Sequence, residues 1–206
     1  VGLAFYFVAA VRTALTRRGH LNRDELDLRD LLDLVALGTV ADVMPLNGNN
    51  RILVYHGLGR ISKSPREGIR SLIRTARIRS FQIRSDHIAN QLAQRLNAAG
   101  RLGEAGEALE LLIADNRRDA MRLAERLDQL SQERRLLETS IVEAAKRQAE
   151  EREQAAEPVL VVAGEGWHRG VLGIVAARLM EWSGKPAVII GFDNGVGIGS
   201  ARARGQ

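Results

Sequence analysis

No cysteine occurs among the 206 residues. Disulfides, thiolate metal centres and cysteine nucleophiles are thereby excluded, and a reducing compartment, the cytoplasm, is the expected setting. Lysine is almost as scarce: of 30 lysines and arginines, only Lys63, Lys146 and Lys185 are lysine. No window approaches the roughly 18 consecutive apolar residues that a membrane span needs. The opening VGLAFYFVAAVRTALTRRGH has basic residues after its apolar run and none before it, so it reads as an amphipathic helix and not a targeting peptide. Internal repeats and low-complexity stretches are missing too. What remains is 45% hydrophobic and 27% charged. That is the composition of a folded chain with room for one large domain or two small ones.

The charge is +5 with a pI near 10.3, carried almost wholly by arginine. A guanidinium pairs with phosphate as a planar fork, where an ammonium is a point charge. A polyanionic partner fits this balance, although a GC-rich genome produces the same arginine excess. A chain that opens on Val1 reads as a piece of a longer one.

The spacing of Leu3, Phe7, Ala10, Val11 and Leu15 predicts a first helix with one apolar face, ending near Gly19. Asn22 or Asp24 can cap a second helix reaching Leu37, after which Gly38 to Pro45 should stop regular structure. A third helix is expected from Asn49 or Asn50 to Leu58, ended by Gly57 and Gly59. Pro65 suits the first turn of a fourth, to about Ala76. Its Ile69, Leu72, Ile73 and Ala76 face a core, beside a stripe of Arg66, Arg70, Arg74 and Arg77. That stripe either tracks a phosphate backbone or is a solvated helix face. Asp86-His87 reads as a helix start and is assigned no metal; His20 and His56 are scattered.

A long helix is expected from about 116 to 156, with Leu123, Leu127, Leu130, Leu137, Ile141 and Ala144 in 4-3 spacing and Arg134 interrupting the seam. At roughly 40 residues it would be about 60 Å long, a coiled-coil segment or a strut between domains. Beyond Pro158 the texture becomes β-α-β with an added strand. Val159 to Ala163 reads as a continuous buried strand, Val171 to Trp182 as a helix, and 187–190 and 196–201 as two more strands.

Four places can carry chemistry. Asp42, on a turn of small residues, can hold Mg²⁺ or Mn²⁺ or merely cap its own turn; spacing alone favours the cap. In NAAGRLG, small residues surround Arg101, which can reach a phosphate or sit beside an ordinary helix C-cap at Gly100. His168 and Arg169 lie in a Gly-rich strand-to-helix turn, where backbone N–H groups favour an anion. Ser200 and Arg202 share one side of a strand by the period of two and suit a terminal phosphate, the plain alternative being a β-bulge.

Together VALGTVADVMPL (35–46), NNRILVYHGL (49–58), RLNAAGRLGEA (95–105), GWHRGVLGIVAARL (166–179) and GIGSARA (197–203) resemble the single-strand-specific exonucleases of the DHH phosphoesterase superfamily, in order and over almost the whole chain. The resemblance implies an α/β protein: the helical end of a DHH catalytic domain (1–115), a long connecting helix (116–156) and a small α/β DHH-associated domain (157–206). It implies 5′→3′ removal of nucleotides from single-stranded DNA bearing a 5′ phosphate, with Mn²⁺ or Mg²⁺, in repair and recombination, and no membrane partner. Asp42 matches a metal ligand, Arg101 an arginine near the scissile phosphate, and His168 a histidine facing the cleft. Ser200 and Arg202 match the residues that hold the 5′ phosphate.

The family's early Asp-x-Asp and Asp-His-His motifs have no match and would lie upstream of Val1, so the piece is expected to bind DNA weakly and not cut it. Two other readings compete: a phosphoesterase of short oligonucleotides, and a non-catalytic DNA-binding scaffold.

Overall fold

The computed structural model describes residues 1–22, 25–63, 66–151 and 157–204. Asp24 as a cap, Pro65 as a first-turn residue and the last residues expected in the long helix, 152–156, lie outside them. The chain divides into two compact units. The first comprises Val1–Asn97 and Gly106–Asp128, the second Ala98–Ala105 and Gln129–Gln206.

The first unit is helical. Helix α1 (Gly2–Arg17) has no buried residue. Its expected apolar face is in solvent, with Leu3 85%, Phe7 69% and Val11 41% exposed and Ala10 and Leu15 exposed as well. An apolar stripe becomes core only where another element covers it, and among the described residues none does. After a 3-10 turn (Leu28–Leu31) capped by the Asp27 side chain comes α2 (Leu32–Ala41). It therefore starts later than expected and runs through Gly38 to Ala41. Seven of its ten residues are buried, so it is apolar all round, as a central helix must be.

Helix α3 (Gly48–Lys63) passes through both Gly57 and Gly59 without ending. A Cβ on Gly57 would lie 2.2 Å from the Leu32 carbonyl oxygen and 2.5 Å from the Ala36 Cβ. The glycine is thus the point where α3 meets α2, and hydrogen bonds along the helix outweigh its propensity cost of about 1 kcal/mol. Helix α4 (Glu67–Thr75) buries Ile69 and Leu72. Then come α5 (Ser85–His87), a π turn (Ile88–Leu92), α6 (Ala93–Leu102) and α7 (Ala105–Ile113).

Helix α8 (Arg117–Glu151) is 35 residues long, about 52 Å at 1.5 Å per residue. Leu123, Leu127, Leu130 and Ile141 of its seam are buried.

The second unit carries a sheet in the order β1-β2-β3: β1 (Leu160–Glu165) parallel to β2 (Ala187–Asp193), and β2 antiparallel to β3 (Val196–Arg202). Helix α9 (Arg169–Ser183) makes the crossover from β1 to β2. Leu160, Val162, Ala187 and Ile189 join Val171, Leu172, Val175 and Leu179 of α9 and Ile141, Ala145 and Ala149 of α8 in one core. Burial along β1 alternates rather than running on: Leu160 and Val162 are buried while Val161 is 44% exposed, because among the described residues helices cover one face only. The free edge of β1 is closed by a side chain. Gln148 on α8 donates to the Ala163 carbonyl at 2.9 Å and accepts from its N–H at 2.8 Å, standing in for a neighbouring strand.

Candidate functional site

The β1–α9 turn is shaped by Trp167. Gly164 and Gly191 are register partners on adjacent strands. A Cβ on either would lie 2.2 Å from Trp167, at its ring and its carbonyl oxygen respectively. Two side-chain-free positions thus seat this residue against the sheet and aim the chain into α9. His168 is the N-cap: it has extended backbone, and its Nδ1 accepts from the Gly170 N–H at 3.1 Å. Accepting at Nδ1 assigns the neutral ring's proton to Nε2, which is left to donate outward.

Arg101 belongs to the same unit. Its Nη1 donates to the Gly170 carbonyl at 3.2 Å, and a Cβ on Gly170 would lie 2.1 Å from the Arg101 carbonyl oxygen. Only glycine lets the Arg101 backbone come this close. Three residues on, a Cβ on Gly173 would lie 3.1 Å from Arg202 Nη2 and 3.4 Å from Ser200 Oγ. Residues three apart share a helix face. The first turn of α9 therefore gathers Arg101, His168, Ser200 and Arg202 over about one helical turn of 5.4 Å. Arg202 Nη1 donates to Ser200 Oγ at 3.2 Å and to the Ala201 carbonyl at 2.7 Å, so the Ser200 hydroxyl hydrogen stays available to an acceptor. N–H groups at the start of a helix, two guanidiniums, a hydroxyl and an imidazole N–H make an anion cradle.

In the same unit, α8 holds a buried ion pair that a half-exposed arginine of α9 extends. Glu138 Oε2 accepts from Arg134 Nη1 at 2.9 Å, and its Oε1 pairs with Arg178 Nη2 of α9 at 2.7 Å. The Arg134 and Glu138 side chains are 6% and 2% exposed. Burial pushes the Arg134 guanidinium down from its ordinary value; Glu138 opposes this, while the charges of Arg135, Arg101 and Arg178 add to it. The arginine that breaks the apolar seam of α8 is thus an interior charge with its counter-ion one turn on.

Asp42 lies in the first unit as the C-cap of α2. The chain leaves through Val43 at φ +54°, with Val43 N–H to the Val40 carbonyl and Met44 N–H to the Thr39 carbonyl, both 3.1 Å. This is a Schellman ending with valine where glycine is usual, a strain of roughly 1–3 kcal/mol. The Asp42 carboxylate is exposed.

The four arginines of the expected stripe are not equivalent. Arg66 is the N-cap of α4, its Nε held at 2.9 Å by the buried Asp33 carboxylate and its Nη2 on the Asp30 carbonyl. Arg70 pairs with Glu67, Arg74 is exposed on α4, and Arg77 lies past the helix end at φ +55°.

No family model matches the chain. A single-stranded-DNA-specific exonuclease RecJ from Salmonella typhimurium is 40% identical over 195 residues, which is 91% of this chain and 34% of the relative. The RecJ of Bacillus subtilis is 36% identical over 175 residues, 85% of this chain and 22% of the relative. A crystal structure of Thermus thermophilus RecJ in complex with Mn²⁺ superposes with a TM-score of 0.74 at 35% identity. It covers 86% of this chain and 26% of that one.

The chain belongs to the RecJ family.

It spans about a third of the length of the first RecJ relatives it matches. RecJ structures have been solved with Mn²⁺ and with Mg²⁺, and Asp42 is the residue expected from the sequence as a metal ligand. Among the described residues, however, no three histidine, aspartate or glutamate side chains stand together. A two-metal site needs several such ligands around ions ~3.5–4 Å apart. These residues do not fit it by themselves. Sequence reasoning missed Gly170 and Gly173 as the positions that admit the cradle's side chains, although their Gly-x-x-Gly spacing was there to read. Glu138 was missed as well, four residues from the arginine that flagged it.

Proposed function

We propose that this chain is the 5′-end-holding part of a metal-dependent exonuclease that removes nucleotides from single-stranded DNA in the 5′→3′ direction, in cytoplasmic repair and recombination. The observation that carries the reading is the crowding of Arg101, His168, Ser200 and Arg202 onto one face of α9, at two positions without side chains. Arg202 offers its fork and Ser200 its hydroxyl to the terminal 5′ phosphate, fixing the strand's end. Arg101 and His168 Nε2, one turn nearer the helix N-terminus, meet the next phosphate, where hydrolysis places negative charge on oxygen. In the first unit, Asp42 would supply one oxygen ligand to Mn²⁺ or Mg²⁺, which when bound would supply water activation and charge stabilisation. The exposed Arg74 and Arg77, also in the first unit, add phosphate contacts.

Arg202→Ala should weaken binding to a 5′-phosphorylated oligonucleotide by about tenfold, the worth of one charge-assisted hydrogen bond. Binding to the 5′-hydroxyl strand should be nearly unaffected. Equal losses on both would refute the terminal-phosphate role. The chain alone should release no nucleotides with Mn²⁺, and release abolished by Asp42→Ala would overturn the view that its metal set is incomplete.

A further inference from the structure

The first unit contains a groove of ≈ 1090 Å³, lined among others by Tyr55 and His56 on α3 and by Phe81 and Arg84 beyond α4. Aromatic residues are only 4% of the chain, yet two of them stand here nearly free: Tyr55 is 74% exposed and Phe81 100%. Neither is left so by a loose loop. Ser80 Oγ closes its turn around Phe81, donating to the Gln82 carbonyl at 2.6 Å and accepting from the Gln82 N–H at 3.2 Å. Two residues on, Ile83 is buried and its N–H donates at 2.9 Å to Ser62 Oγ, which donates at 2.9 Å to the Leu58 carbonyl. The turn at Phe81 is therefore closed on itself and tied to α3 on its C-terminal side, while the ring projects into water. Tyr55 is braced edge-on by His56, with ring centroids 5.3 Å apart at 82°.

Around these rings the groove is basic. Arg29, Lys63 and Arg84 line it, with Asp27 as a lining acid. Arg29 pairs with Asp27 and Arg84 with Asp86 at the surface. Both pairs are open to solvent and screened by it, so either guanidinium can turn to a phosphate. Lys63 makes no ion pair with a described residue. Pinned, solvent-facing aromatic rings bordered by exposed cations are the two halves of a single-strand platform: bases stack on the rings, and phosphates follow the charges. A duplex hides its base faces, and an acidic peptide has none to stack.

We propose that this groove is a second nucleic-acid site, at which Phe81 and Tyr55 stack bases of a single strand while Lys63, Arg84 and Arg29 hold its phosphates. The proposal rests on the reading that a single strand is this protein's ligand, but it involves none of the cradle residues. It assigns the groove to the body of the strand, not to its end.

The test uses the full chain and a labelled oligothymidylate with a 5′-hydroxyl, so that terminal-phosphate capture does not contribute, with fluorescence anisotropy as the readout. Phe81→Ala removes a side chain that packs on nothing, and should weaken binding roughly 5- to 150-fold, the range for losing one stacked base. Tyr55→Ala should act in the same direction. Both should bind an abasic deoxyribose-phosphate strand of equal length as well as the parent does. Lys63→Ala should weaken both strands alike and reduce the salt slope by about one. Unchanged binding of oligothymidylate by Phe81→Ala would overturn the proposal, and so would an equal loss on the abasic strand. Competition by oligoglutamate as strong as by oligothymidylate would assign the groove to an acidic protein segment instead. A failed Arg202→Ala test would remove the end-holding role and leave these outcomes readable.

Discussion

Replacing Gly173 by alanine should separate stability from binding. The added Cβ would lie 3.1 Å from Arg202 Nη2 and 3.4 Å from Ser200 Oγ. The closer atom ends a long flexible side chain, so the guanidinium can yield by a few tenths of an ångström while the helix backbone stays put. Alanine is about 1 kcal/mol better than glycine inside a helix, which corresponds to a rise in Tm of about 2–4 °C for a chain of this size. The displaced guanidinium should lose much of a charge-assisted hydrogen bond worth about 1.5–3 kcal/mol. Affinity for a 5′-phosphorylated strand should therefore fall about tenfold or more while the protein becomes more stable. Calorimetry on the unliganded chain and anisotropy with 5′-phosphate and 5′-hydroxyl strands read the two effects separately. Gly170→Ala is the contrast: its Cβ would meet the Arg101 backbone carbonyl at 2.1 Å, an obstacle that cannot swing aside, and it should cost about 1–3 kcal/mol or more. A lowered Tm for Gly173→Ala would show that the contact does not yield. A raised Tm with the 5′-phosphate preference intact would show that Ser200 and Arg202 do not hold that group.

Other expectations follow from the ion pairs. Glu138→Ala removes the carboxylate paired with the buried Arg134 and should destabilise the chain by about 3–5 kcal/mol in urea titration, whereas Arg178→Ala, which removes a half-exposed partner, should cost far less; equal costs would contradict this geometry. The Arg84 guanidinium, hydrogen-bonded to Asp86, holds that carboxyl down from 3.8 to about 2. Its contribution is then fully present above pH 3.8 and lost as pH falls through 2. NMR titration of Asp86 should show that midpoint, and Arg84→Ala should return it to the ordinary carboxylate value.

Much of this molecule is legible from local pattern. The 4-3 seam of α8, the helix after Trp167 and the three strands need only neighbours within a few positions, and periodicity reports those directly. Gly57 and Gly59 look like helix ends in the sequence because a glycine's meaning depends on what lies opposite: at Gly57 it is the Leu32 carbonyl, 25 positions earlier in the chain. The apolar face of α1 shows the converse, since amphipathicity records a capacity for burial and not the presence of a cover. Arg66 looked like one of four equivalent cations until the buried Asp33 claimed it. At the cradle, the strand period of two put Ser200 and Arg202 on one side and the Gly-rich turn marked His168. That Arg101 joins them at Gly170, 69 positions away, is a tertiary fact with no local trace.

That distance has a consequence for how the protein is made. Neither unit is one stretch of chain, since the path changes unit after Asn97, after Ala105 and after Asp128. A nascent chain emerging from the ribosome exposes Arg101 well before the α9 carbonyl it will contact exists. Until the crossover helix follows, Leu102 lacks most of the core it packs against. The anion cradle is therefore completed late in synthesis. A gene segment starting at residue 129 would carry the whole sheet and α9, yet encode a cradle without its first guanidinium, so evolution can exchange this unit between relatives only together with a fragment of the helical one.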